Sequence, residues 1–529
     1  MPIALAPRDY VIEQYTRTVC PACFEERGRR SDEAGVWKDG MLVSHDEKIW
    51  LRRFCAAHGE TESLYEEDAA IWRARNGWNT PTLRITPDRS DNFAGFPDGY
   101  REGLPASHGQ HTCILLLNIT DRCNYGCTTC FASSSPPGTP VARDERPAPD
   151  DVLHTVKTIL AREGGKLSVL MLSGGEPTVR EDLTDLLLRL FELNITRIVL
   201  NTNGRRIVRD DRFLQFLHEH RNRIEIYLQF DGLRAATYQS LRNEDVAQEK
   251  QTALQRLNDA HIFTTLVTTV KHGINDDEVG DIIQLGLETP RCAGVALQPV
   301  FGSGRSAGID AHNRTTPTGI LSRMSAQTGG LIGHDDFIPL PCSHSDCCDI
   351  TYLVQAANGQ WSSIPKLLGR EELKRWIHLV SNTISFDTVS APIADMLKSG
   401  VLQRVFSEQR KSGVSDLAFD LARMCDCVPG VSQLLGGIWA LTHRKENALE
   451  KAAERTFRIT VKMFMDAHTL HEARLRQCCV HTGTFEADPR RYSFCWRWLF
   501  EDATDFPDEV VTAAPLPGYV SLAELGAKA

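Results

Sequence analysis

The sequence predicts an α/β protein: a partial, TIM-like (β/α)6 barrel between a small N-terminal metal-binding domain and a mostly helical, cysteine-rich C-terminal domain. Three observations predict it. Short apolar or β-branched runs alternate with helical spacings through the middle of the chain, the pattern of a parallel sheet with crossover helices. Polar or glycine-rich motifs follow five of those runs, at the strand ends where such barrels gather their working residues. The sixteen cysteines are clustered rather than scattered.

Residues 1–108 carry Cys20-Pro21-Ala22-Cys23, a C-x2-C knuckle, and a second pair in Cys55 and His58. Between them, Asp39-Gly40 within 36–43 predicts a hairpin turn. Two knuckles on a hairpin predict a tetrahedral zinc-ribbon or rubredoxin-type site, for Zn or mononuclear Fe alike. Residues 109–310 supply six predicted strands, at 113–119, 167–172, 197–201, 224–230, 263–270 and 294–300. Helical spacing covers 150–163, 182–193, 211–220, 249–260 and 277–288. Six βα units fall short of a closed eight-stranded barrel. Residues 311–529 have long helical stretches and eight of the cysteines.

Chemistry concentrates behind the first strand, where Cys123, Cys127 and Cys130 form C-x3-C-x2-C. Three thiolates can hold three corners of a 4Fe-4S cluster and leave one iron open; clusters used only for electron transfer are normally closed by a fourth Cys. The competing use is structural zinc, which usually pairs C-x2-C with a second pair. Behind the second strand comes Ser173-Gly174-Gly175-Glu176-Pro177-Thr178. Glycines there let backbone approach a ligand closely, and Glu176 adds a carboxylate. Asn203, Asp231 and Gln298 end strands three, four and six, placed either to hydrogen-bond a ligand or to cap rim turns. Further along are Cys342, Cys347, Cys348, Cys425, Cys427, Cys478, Cys479 and Cys495, enough for two additional clusters or for one cluster and spare thiols. Adjacent residues of an extended stretch face opposite sides, so Cys478 and Cys479 need not serve one site. Cys113 and Cys292 stand alone in strand-like surroundings and read as buried apolar thiols.

A net charge of −10 argues against a nucleic-acid partner. No apolar run reaches bilayer-spanning length, and the first residues lack a signal-peptide layout. The expectation is a soluble, cytoplasmic protein.

The cysteine triad followed by GGEP resembles the radical S-adenosylmethionine (SAM) superfamily. That resemblance implies a 4Fe-4S cluster on Cys123, Cys127 and Cys130 whose open iron is chelated by SAM, which yields a 5′-deoxyadenosyl radical. It also implies that Gly174, Gly175, Glu176 and Pro177 bind the methionine amino group. Thr129 departs from the aromatic or large residue usual before the third Cys; Phe131 comes after it instead. The flanking motifs resemble one branch, that of archaeal tetraether lipid synthase and dihydropterin methyltransferase-like proteins. They are the two N-terminal knuckles, LQPVFGSGR (297–305), PCSHSDC (341–347), FMDA (464–467), CCVH (478–481) and Phe494-Cys495. The branch implies auxiliary 4Fe-4S clusters, with Cys342, Cys347, Cys478, Cys479 and Cys495 as ligand candidates, and a rubredoxin-like site. The implied activity is C–H activation and C–C bond formation. Its first form couples lipid alkyl chains, with peripheral membrane contact; its second methylates a pterin or another small heterocycle. A reductase with flavodoxin, or a ferredoxin, would donate electrons. The non-enzyme alternative is an iron–sulfur sensor or electron carrier, for which a GGEP pocket has no use.

Overall fold

The computed structural model describes residues 9–26, 36–75, 78, 85–136, 147–306, 308–340, 342–356, 358–370 and 454–500. Cys425, Cys427 and the apolar run 431–441 lie outside them, as does most of the stretch expected to be helical.

Near the N-terminus, β1 (Val11–Val19), β2 (Trp37–His45), β3 (Lys48–Cys55) and β4 (Gly59–Glu66) form an antiparallel sheet in chain order. The hairpin turn is not at Asp39-Gly40, which lie inside β2. Gly40 pairs with Thr16 and Arg53, and a Cβ there would come within 2.8 Å of Thr18 Cγ2. Glycine is therefore needed for cross-strand packing, and the chain turns instead at Asp46 and Glu47, both left-handed (φ 49° and 59°).

The six predicted strands all form: β5 (Ile114–Asn118), β6 (Leu167–Ser173), β7 (Ile195–Thr202), β8 (Ile224–Gln229), β9 (Thr264–Val270) and β10 (Cys292–Pro299). They pair in parallel, in chain order. Six later strands extend this sheet. Among them β14 (Thr456–Lys462) runs parallel beside β10, and β15 (Val480–Gly483) parallel beside β5. On the outer flanks β12 (Cys348–Gln355) and β16 (Arg491–Ser493) run antiparallel to β14 and β15. The short β11 (Ile338–Pro339) and β13 (Trp361–Ser363) pair with β12. The described part of the C-terminal third thus contributes strands to the central sheet.

Both sheet faces are buried, as a parallel sheet requires. Leu115, Leu117, Leu170, Leu172, Ile198 and Leu200 pack with the helices. Their alternating neighbours Ile114, Leu116, Val169, Met171 and Val199 pack with Trp37, Phe494, Trp496 and the thiols of Cys113, Cys342 and Cys479. The cysteine-rich segments therefore cover the face away from the helices.

Buried ion pairs fix these layers to each other. Arg75 joins Glu66 at the end of β4 to Asp349 on β12, at 2.6 Å to each. Asp466, in the FMDA motif, accepts from Arg314 at 2.7 Å and from Gly302 N at 2.9 Å beyond β10. Burial alone would raise the Asp466 pKa, yet the Arg314 guanidinium holds it well below the usual carboxylate range. A carboxyl with a depressed native value stabilises the fold above its unfolded pKa and loses that effect as pH falls through the native one. Asp466→Ala leaves Arg314 buried without its partner and should cost about 3–5 kcal/mol at pH 7, read from urea midpoints. Thermal melts across pH should show the gap to wild type narrowing below about pH 4.

Candidate active site and metal centres

The cluster loop leaves the C-terminal end of β5, and main-chain pairing holds it against the glycine motif that leaves β6. Gly175 N donates to Thr120 O at 2.7 Å and Glu176 N to Arg122 O at 2.8 Å. A Cβ on Gly174 (φ 125°) would come 2.2 Å from Thr120 O, and one on Gly175 2.2 Å from Arg122 O. The side of these glycines that a Cβ would occupy faces the loop delivering Cys123. The Glu176 carboxylate is 2 % exposed and fully occupied. It accepts from Thr178 N at 3.0 Å, Thr178 Oγ1 at 2.6 Å, Thr202 Oγ1 at 2.7 Å and Asn203 N at 2.7 Å. Glu176 thereby ties the end of β7 to this turn.

The other rim residues also act on the loop. Asn203 Nδ2 donates to Asn124 Oδ1 at 2.6 Å. Buried Asp231 grips Arg242 through two bonds, of 2.6 and 2.7 Å, and accepts from Thr269 N at 3.0 Å. Arg242 in turn lies within electrostatic reach of Cys127, so Asp231 acts on the loop through a cation. Gln298 is half-buried at the end of β10, in register with Thr269. Gln229 Oε1 is buried at this rim without a partner among the described residues, a free acceptor for a ligand donor.

Composition gave no signal for Arg242 or Arg305. Arg305, in the GSGR of the quoted motif, donates from its backbone to Cys130 O (2.9 Å) and from its side chain to the carbonyls of Cys127 (2.8 Å) and Ser134 (2.6 Å). Phe131 packs among Phe301, Phe494 and Trp498 at 5.0–5.8 Å, and Thr129 is buried against Leu241.

Cys123, Cys127 and Cys130 are half-buried free thiols on this one loop. Burial, the Glu176 charge and the two sister thiols push Cys123 up to about 12, so a bound cation is what would hold it as thiolate. A donor set of sulfur alone is soft and fits iron–sulfur chemistry rather than a hard ion. Among the described residues, the group whose ligand atoms all lie within 4.8 Å of one another, as ligands of one ion do, is Cys20, Cys23, Cys55 and His58. There Cys23 Sγ lies 3.6 Å from Cys55 Sγ and 3.3 Å from His58 Nδ1. His58 Nε2 meets Glu26 at 3.0 Å, the outer carboxylate that commonly orients a metal-bound His.

Two further groups of sulfurs lie on the sheet face opposite the helices. Cys342 Sγ is 3.8 Å from Cys113 Sγ and 3.6 Å from Cys479 Sγ. Cys347, Cys478 and Cys495 feel one another's charge, and Arg474 Nε reaches Cys347 Sγ at 3.5 Å. Cys478 and Cys479 point to different groups, as alternation in an extended stretch requires. Cys113 is not the isolated thiol expected, because β15 pairs beside β5 and brings Cys479 next to it. Cys292 Sγ donates to Gly294 O, at 3.5 Å, among apolar neighbours.

Residues 117–286 match the Radical SAM superfamily. The chain carries a radical SAM domain. It is a radical SAM enzyme, and this domain implies a 4Fe-4S cluster and SAM as cofactors. Residues 12–67 match the HMPTM N-terminal zinc ribbon domain. Over 516 residues the radical SAM chain is 24% identical to 7,8-dihydro-6-hydroxymethylpterin dimethyltransferase of Methanocaldococcus jannaschii, covering 92% of this chain and 93% of that one. It is 26% identical over 184 residues to GTP 3′,8-cyclase of Clostridium perfringens, covering 35% of this chain and 54% of the cyclase. A solved radical SAM methyltransferase from Sphaerobacter thermophilus is 15% identical, with 55% of this chain and 74% of that chain covered at a TM-score of 0.31. No helix among the described residues is long and apolar enough to cross a membrane.

Two substitutions separate these centres. Gly175→Ala drives a methyl into Arg122 O and should strip iron from the cluster loop while leaving the N-terminal metal in place. Cys23→Ala should do the reverse. Metal analysis after anaerobic purification, together with the cluster's visible absorbance, reads both.

Proposed function

We propose that this protein is a radical SAM methyltransferase acting on a pterin or a related small heterocycle. The observation that carries this is the alignment with the pterin dimethyltransferase, which covers 92% of this chain and 93% of that one, together with the match of residues 12–67 to the HMPTM zinc ribbon. Lipid-chain coupling, the first expectation, has no such support. The run proposed to line a lipid channel, 431–441, falls outside the described residues.

Cys123, Cys127 and Cys130 would hold the 4Fe-4S cluster. With SAM on its open iron, that cofactor supplies a carbon radical able to take hydrogen from an unactivated C–H bond. The chain's own residues do the positioning. Glu176 and the glycine pair fix the loop, Arg242 sets a positive charge near Cys127, Gln229 and Gln298 offer polar groups at the rim, and the aromatic packing around Phe131 excludes water. We assign zinc to Cys20, Cys23, Cys55 and His58, auxiliary iron–sulfur clusters to the C-terminal cysteines, and electron delivery to a flavodoxin or ferredoxin. In this reading 1–108 is the metal ribbon, 109–310 a (β/α)6 partial barrel and 311–529 the auxiliary-cluster domain, which lends strands to the barrel sheet.

The test is anaerobic reconstitution followed by reduction with SAM and 7,8-dihydro-6-hydroxymethylpterin. The expected products are 5′-deoxyadenosine and a pterin heavier by one or two methyl groups, both read by mass spectrometry. Absence of 5′-deoxyadenosine from fully loaded protein would leave the sensor or electron-carrier alternative. If a saturated lipid chain is modified and the pterin is not, the substrate assignment fails.

A further inference from the structure

Cys113 lies one residue before β5, ten residues ahead of the cluster loop and outside every recognised cysteine motif. Its sulfur nevertheless touches that of Cys342 at 3.8 Å, and Cys342 touches Cys479 at 3.6 Å. Three separate segments converge here. Cys113 N donates to Cys479 O at 2.9 Å, so the two residues sit side by side where β15 joins β5, and Cys342 comes from the loop before β12. Cys113 and Cys342 are 0 % exposed and Cys479 2 %. Buried cysteines that serve only as small apolar fillers have no reason to gather sulfur against sulfur. Cys292, among aliphatic neighbours on the other face, shows that ordinary arrangement.

The partition of ligands is the second observation. PCSHSDC sends Cys342 to this group and Cys347 to the other. The Cys478-Cys479 pair divides in the same way. Each group then needs one more sulfur to match the three-thiol set of the cluster loop; Cys495 completes one and Cys113 the other. Without Cys113 the buried group would keep only two thiols.

We infer that Cys113 is a metal ligand, and that Cys113, Cys342 and Cys479 hold a buried iron–sulfur centre separate from the one at Cys347, Cys478 and Cys495. All three donors are sulfur, which selects a soft metal, and three thiolates already suffice for the cluster-loop site of this chain. The inference rests on the chain being an iron–sulfur enzyme and is independent of its substrate.

The decisive experiment is anomalous diffraction at the iron edge from crystals of the anaerobically purified holoenzyme. The expected result is an iron peak within bonding distance of Cys113 Sγ, distinct from a peak at Cys495. Iron at the other sites with none at Cys113, or a peak there only at the zinc edge, overturns the inference. In parallel, Cys113→Ser and Cys113→Ala should lose about a third of the iron and acid-labile sulfide, one cluster in three. Cys292→Ala should lose none. Full iron and sulfide in both Cys113 variants would also overturn it. Should neither variant fold, the wild-type anomalous map decides. Iron at Cys113 in protein that forms no 5′-deoxyadenosine supports this centre and defeats only the catalytic proposal.

Discussion

Two backbone hydrogen bonds, Gly175 N to Thr120 O and Glu176 N to Arg122 O, are the constraint on which the candidate site depends. They fasten the loop carrying Cys123 to the turn that follows the neighbouring strand. They can form only because two consecutive residues lack side chains where the carbonyls approach. Parallel pairing of Asn118 with Ser173 sets the strand ends level, so the clamp is a consequence of register. A sheet whose faces are both buried cannot slip by one residue without turning its apolar side chains to the wrong face, so the positions of the three thiols are set by packing remote from them.

Charge then refines what the backbone has positioned. Three buried carboxylates are turned inward onto the chain's own donors. Glu176 holds four donors, Asp231 holds Arg242, and Asp466 holds Arg314. Each is buried, and an unpaired charge there would be costly. The arrangement places the Arg242 cation within electrostatic reach of Cys127, and net charge around a cluster is among the levers that set its potential.

Much of this was legible in the chain. All six core strands and their five helices follow from periodicity, because a strand buried on both faces must be short and apolar and its crossover helix amphipathic. The cysteine triad and the glycine motif are legible because they are local. What sequence could not convey was contact across distance. Arg242 is one arginine among many, and Arg305 only the last letter of the 297–305 motif, until the fold brings them to the loop. Asp39-Gly40 has the letters of a turn, but its glycine answers a steric demand from Thr18 on the neighbouring strand. Cys113 resembles any core thiol until β15, more than three hundred residues later, pairs beside it.

That late pairing also orders the centres in space. β5 begins after Cys113 and ends before the cluster loop, so about 16 Å of extended strand separates the two sites. The group at Cys495 is nearer the rim, since Phe494 packs against Phe131 of the cluster loop at 5.8 Å. The peptide bond joining Cys478 to Cys479 then links that group to the buried one. Successive sites are thus connected by one aromatic contact and one covalent step, and the segments making those connections are strands and helices packed in the core rather than surface loops.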